Sequence, residues 1–344
     1  MDLAQFQKLF DKEPRYRLGQ AKKALFQDLI QNWQEATELP LSLREELNKK
    51  CPIELSAKTF VSKDRNTIKA LLILKDDLKI ETVLMCHQDK RNTICVSSQV
   101  GCRLGCEFCA TGKMGFKRNL DVWEIIEQVL FFARYLKKIK ERITNIVFMG
   151  MGEPFLNYQN IIGAIRILND KEGFNLGARH FSISTVGIIE GIEKLAKEEL
   201  QINLAISLNA SNDKLRSKLM PINKKYPIKK ILNAIDNYIK KTRRRVMFEY
   251  IMINNLNDSE ENAKTLANLM KKPLYFVNLI SYNFTRRSLG EGGPTGIFKP
   301  SPSLRIKKFK ETLEKEGVMV TQRYRFGKDI EGACGQLVVK DRRK

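Results

Sequence analysis

The sequence predicts an α/β protein: a partial (β/α)6 barrel with a small helical N-terminal accessory domain before it and a C-terminal extension after it. Three observations lead there. From Thr93 onward, strand-like and helix-like apolar patterns alternate, which implies parallel strands joined by right-handed crossovers. No G-x-G-x-x-G loop follows any strand, which argues against a two-halved dinucleotide fold. The polar constellations of note fall just after strands, on the rim where βα barrels keep their chemistry.

Residues 1–66 read as the helical domain, with helical apolar spacing over Ala21–Asn32 and Ser42–Lys50, broken at Leu39-Pro40. Residues 67–92 read as a hairpin connector, in which strand-like Ile68–Leu74 and Lys79–Met85 flank the turn Lys75-Asp76-Asp77. The barrel takes residues 93–326. Its strands are expected at Thr93–Ser98, Ile143–Met149, His180–Thr185, Ile202–Leu208, Val246–Ile253, Leu274–Tyr282 and Val318–Phe326. Helices are expected at Asp121–Glu141, Asn160–Leu168, Ile188–Lys197, Pro227–Lys240, Ser259–Lys271 and Ser303–Glu316. The first is the clearest, with Val122, Ile125, Ile126, Val129 and Leu130 on one stripe. Residues 327–344 form a C-terminal segment with a basic tail.

Sixty-one Lys and Arg against 39 Asp and Glu give a formal charge of +22. Such an excess calls for a polyanion, and nucleic acid is the first candidate. The basic clusters, among them Lys137–Lys140, Lys240–Arg245 and Arg305–Lys310, are spread along the chain, so the fold must assemble any binding face. The N-terminus has no signal pattern and no run of eighteen apolar residues occurs, so the reading is cytoplasmic with no membrane partner. Seven cysteines in 344 residues are too few, and odd in number, for a disulfide scaffold.

Three of those cysteines form the run Cys102-Arg-Leu-Gly-Cys106-Glu-Phe-Cys109. A [4Fe–4S] cube normally takes four thiolates, so three leave one iron open to bind a small molecule. That points to radical generation from S-adenosylmethionine (SAM). A structural zinc site needs four closed ligands; Cys95 could complete one, while the two histidines, His87 and His180, are far apart. That alternative is a colourless, zinc-containing RNA-binding protein. Gly150–Pro154 and Cys334, in Ala333-Cys334-Gly335-Gln336, are the other constellations on the expected rim.

These residues resemble the RlmN/Cfr family of radical SAM RNA methyltransferases. The resemblance is carried by Cys95 through Cys109, Phe148–Pro154, Ser182–Thr185, Met220–Lys225 and Ala333–Leu337, and runs from about Tyr16 to Val339. It implies methylation of a ring carbon of adenine in 23S rRNA: C2 of adenine 2503 for RlmN, C8 for Cfr. RlmN-like members also modify adenosine 37 of certain tRNAs. Gly152-Glu153-Pro154 resembles RlmN, where Cfr proteins tend to have Ala after the Glu, so C2 is favoured.

On this chain the resemblance implies that Cys102, Cys106 and Cys109 hold the cluster. Gly152, Glu153, Ser184, Ser207, Leu208, Asn209 and Asn283 would bind SAM. Cys334 would carry the methyl group, one SAM methylating it and a second, cleaved at the cluster, activating it. Cys95 would release the product by disulfide formation, and Glu81 would take the ring proton. Implied partners are 23S rRNA, tRNA and a reductant such as flavodoxin or ferredoxin, acting on a monomer. Two positions depart from the family pattern: Asn209 stands where His is usual, and Phe284 where Pro is usual.

Overall fold

The computed structural model describes residues 1–283, 298–324 and 326–338. Phe284, the glycine-rich stretch after it and the basic tail lie outside the described residues. The N-terminal domain starts with α1 (Leu3–Phe10), capped by the Asp2 carboxylate, which accepts from the amides of Ala4 and Gln5 at 2.9 and 3.1 Å. α2 (Arg15–Phe26) and α3 (Leu41–Lys50) each begin after a proline, whose fixed φ suits a helix start. α1 and α3 meet at Trp33, which is fully buried, stacks on Phe6 at 5.9 Å, donates from its backbone N to Asn48 Oδ1 at 3.1 Å and donates from Nε1 to the Cys51 carbonyl at 2.8 Å.

Two sequence expectations differ here. The helix expected over Ala21–Asn32 is shifted toward the N-terminus, because the chain leaves helical geometry after Gln27 and Leu29 takes a positive φ. Ser56–Val61, expected within the helical domain, is strand β1. Five of its six residues are exposed, so no apolar alternation marks it.

β1 pairs antiparallel with β2 (Thr67–Ile73), which pairs with β3 (Lys79–Cys86) and then β4 (Asn92–Cys95). Past β4 the chain makes the small antiparallel pair β5 (Gln99–Gly101) and β6 (Phe116–Asn119), with the cysteine run between them. α4 (Val122–Lys138) follows, started by an Asp121/Glu124 capping box. The alternation then proceeds through β7 (Asn145–Phe148), α5 (Tyr158–Asn169), β8 (Phe181–Thr185), α6 (Ile189–Leu195) and β9 (Asn203–Ser207). It continues with α7 (Asp213–Leu219), α8 (Ile228–Thr242), β10 (Val246–Met252), α9 (Glu260–Met270), β11 (Tyr275–Ser281), α10 (Ser303–Lys315) and β12 (Val320–Gln322).

The sheet order is β1-β2-β3-β4-β7-β8-β9-β10-β11-β12. From β4 on every pairing is parallel, as the alternation predicts. The order is linear, an open barrel with helices outside. Its parallel strands end on one rim, so residues after each strand share one mouth. No helix among the described residues is long and apolar enough to cross a membrane.

Candidate active site

The cysteine loop owes its shape to the β5–β6 hairpin. Gly101 has φ +77°, and a Cβ there would fall 1.9 Å from the Gly115 carbonyl oxygen. Only glycine fits that crossing. The same carbonyl accepts from the Cys102 amide at 2.9 Å, and the Cys109 amide donates to the Cys106 carbonyl at 3.1 Å. The loop is thus folded back on itself.

Cys102, Cys106, Cys109, Gly152, Glu153, Ser184, Ser207, Asn209 and Cys334 line one cavity with about 830 Å³ of free space. A second recess, of about 600 Å³, is lined by Cys95, Asn283, Arg323 and Cys334 among others. Cys334 belongs to both. Its segment is held against the cysteine loop by two bonds: Ala110 N donates to the Gly335 carbonyl at 2.9 Å, and Thr111 Oγ1 to the Leu337 carbonyl at 2.6 Å.

Glu153 is buried, with one carboxylate oxygen accepting from Phe155 N at 3.0 Å and the other from Val186 N at 2.9 Å. Burial pushes its carboxyl up to about 7. Among the described residues no Lys or Arg pairs with it. Gly152, at φ +100°, runs so close to Gln99 that a Cβ would fall 2.6 Å from that side chain.

Four predicted residues are placed less simply. Leu208 lines neither cavity; its side chain is core, and its amide donates to the Glu249 carbonyl at 3.1 Å. The Asn209 carboxamide is spent on the fold, accepting from Ile251 N at 3.0 Å. Asn283 sits on the Cys95 side, where its Nδ2 donates to the Cys334 carbonyl at 3.4 Å. Glu81 lines neither cavity. It is buried in an ion pair with Lys69 at 2.9 Å, and its other oxygen accepts from Val338 N at 2.9 Å. Burial raises the Glu81 carboxyl above its ordinary value, although Lys69 and the Val338 amide oppose the shift.

Sequence reasoning missed Glu249 and Arg323. Glu249 Oε2 accepts from Ser184 Oγ at 2.6 Å and Ser207 Oγ at 3.3 Å, and Oε1 meets Arg323 Nη1 at 3.4 Å. Burial works against the Arg323 charge, but Glu249, Cys334 and Cys95 outweigh it, and the guanidinium is held more firmly protonated. The signal for Glu249 was there: one carboxylate inside the otherwise uncharged strand Val246–Met252.

The family model of the radical SAM superfamily matches residues 96–267. A protein of Dictyoglomus turgidum called "Probable dual-specificity RNA methyltransferase RlmN" is 46% identical over 94% of this chain and 91% of its own length. A Bacillus cereus protein of the same description is 44% identical over 96% of this chain and 90% of its own. The crystal structure of a radical SAM methyltransferase from Sphaerobacter thermophilus superimposes with a TM-score of 0.91 at 42% identity, covering 98% of this chain and 97% of that one.

Enzymes of this class use a [4Fe–4S] cluster and SAM, and the cavity fits both. Burial pushes the Cys102 thiol up to about 12 and Cys106 well above the ordinary thiol range, and an iron cation would favour their thiolate forms. Among the described residues the Glu153 carboxylate has no cationic partner, and an ammonium such as that of SAM would suit it. With 46% identity over nearly its whole length to a relative of this description, the chain belongs to the RlmN family of radical SAM RNA methyltransferases.

Proposed function

We propose that the chain methylates C2 of an adenine in 23S rRNA, the position named adenine 2503 in the family, and adenosine 37 of tRNA, with Cys334 as the methyl carrier. The observation behind this reading is the position of Cys334 on the partition between the two cavities. A single sulfur that faces both can take up a one-carbon unit on one side and be attacked on the other.

In this reading Cys102, Cys106 and Cys109 hold the cluster, and Gly152, Glu153, Ser184 and Ser207 hold SAM. When bound, these groups supply methyl groups and a one-electron reduction. The chain's own residues do the rest. Glu153 pairs the ammonium, and the Gly152 backbone allows close approach. Cys334 presents its sulfur from a segment of small residues, Ala333 and Gly335, and Asn283 steadies its carbonyl. Cys95 then attacks the Cys334 sulfur. The S–S bond forms, the bond from the Cys334 sulfur to the methylene carbon it has delivered to the base breaks, and that methylene carbon takes a proton to become the new methyl group. A thiol reductant reopens the disulfide. Glu81 serves as proton acceptor after Val338 N leaves its carboxylate, which couples base release to movement of the carrier segment.

The test is anaerobic reconstitution with iron and sulfide, reduction in the presence of SAM and protein-free 23S rRNA, and nucleoside mass spectrometry. The expected product is 2-methyladenosine. Formation of 8-methyladenosine would transfer the chain to Cfr-type chemistry. SAM cleavage with both rRNA and tRNA unmodified would overturn the substrate assignment.

A further inference from the structure

Beside the recess of Cys95 and Cys334 stands an aromatic wall with no part in the chemistry above. Tyr324 is 65% exposed, more than any other Phe, Tyr or Trp among the described residues. Its ring meets Phe326 edge-on at 4.9 Å, and Phe326 meets His87 edge-on at 4.7 Å. Tyr324 and Phe326 line the thiol recess, and they also line a neighbouring outer recess with Asn66, His87 and Arg91. The pair is therefore the partition between the thiols and the surface.

Two further observations bear on what sits there. Ser281 Oγ, in the same recess, is buried and has no hydrogen-bond partner among the described residues. A buried orphan hydroxyl is costly unless something polar meets it. The rim is also basic: Arg65, Lys90 and Arg91 are exposed on the turns that end this side of the sheet. Asp89 offsets one of them, pairing with Arg91 at 2.7 Å where both groups are exposed. An aromatic face, an orphan polar atom and surrounding cations together suit a flat base on a polyanionic strand.

We propose that Tyr324 and Phe326 form the stacking wall of a site for one unpaired purine of the RNA, whose polar edge meets Ser281. The proposal rests on the RNA-modifying reading above and adds the means by which an extruded base is held. Stacking of this kind pays little attention to base identity, so the wall retains the base while the hydroxyl reads its edge.

The experiment titrates the reconstituted protein into an RNA hairpin carrying 2-aminopurine in its unpaired loop and follows fluorescence. Wild type is expected to quench the probe on binding. Tyr324→Ala is expected to weaken binding by about ten-fold to a hundred-fold and to lose the quenching. Tyr324→Phe and Tyr324→Trp are expected to keep both, which separates stacking from misfolding. The salt dependence of binding should keep its slope in Tyr324→Ala, because no phosphate contact is removed. If wild type binds and quenches while Tyr324→Ala does so equally well, the stacking wall is wrong and the RNA reading stands. If wild type fails to bind the hairpin at all, the RNA reading falls, and the wall falls with it.

Discussion

Arg323 and Glu249 meet across the partition between the two cavities, Nη1 to Oε1 at 3.4 Å. Glu249 continues on one side to Ser184 and Ser207; Arg323 faces Cys95 and Cys334 on the other. A polar chain therefore joins the expected SAM pocket to the thiol pair. Replacing Arg323 by Met should slow alkylation of Cys95 and Cys334 about ten-fold near neutral pH, since a cation beside a thiol favours the thiolate. Arg323→Lys should recover most of that rate. Peptide-resolved mass spectrometry after timed alkylation reads each cysteine separately, and unchanged rates would confine Arg323 to orienting Glu249.

Cys334→Ala should abolish methyl transfer to RNA while the cluster and reductive SAM cleavage persist. Iron content, 5′-deoxyadenosine and methylated nucleoside are measured on the same reconstituted sample. Loss of iron in this variant would make Cys334 a cluster ligand and end its role as carrier.

Cys95→Ala should stop the reaction one step later, with protein and RNA covalently joined through Cys334. A nuclease-sensitive shift on a denaturing gel is the readout. Clean multiple turnover would remove Cys95 from product release.

Lys69→Met leaves the buried Glu81 carboxylate without its cation and should cost about 3–5 kcal/mol in denaturant unfolding. The sign of the pH dependence follows from the raised Glu81 pKa. The folded protein keeps the proton to higher pH than the unfolded chain, so this group's contribution to stability falls as pH rises from the ordinary carboxylate range through its folded value. Removing Lys69 widens that interval, and the deficit should be larger at about pH 8 than at about pH 5. Lys69→Met combined with Glu81→Gln should restore much of the loss; a pH-independent deficit would show that packing of the Lys69 stem dominates.

The barrel was legible because its inner parallel strands bury apolar runs, as β7 and β8 do, and crossover helices carry an apolar stripe, as α4 does. Cysteine spacing and resemblance pointed to the cavity. β1 escaped because an exposed edge strand has no reason to alternate. The link between Arg323 and Glu249 escaped because neither a charged residue inside strand Val246–Met252 nor one just past Gln322 says anything of its partner, and the two lie 74 positions apart. Leu208 illustrates the reverse limit: a motif position reaches a pocket through its backbone neighbours while its own side chain serves the core.

The bonds that seat the carrier segment also set an order of assembly. Thr111 to Leu337 spans 226 positions, and Val338 to Glu81 spans 257. Contacts across such separations form late, after the local hairpins and βα units they join. The cysteine loop, by contrast, is closed by the Cys102–Gly115 bond within its own hairpin. The loop can thus take its folded shape while the mouth of the barrel is still uncovered, giving iron and sulfide a route in before residues 333–338 dock across it.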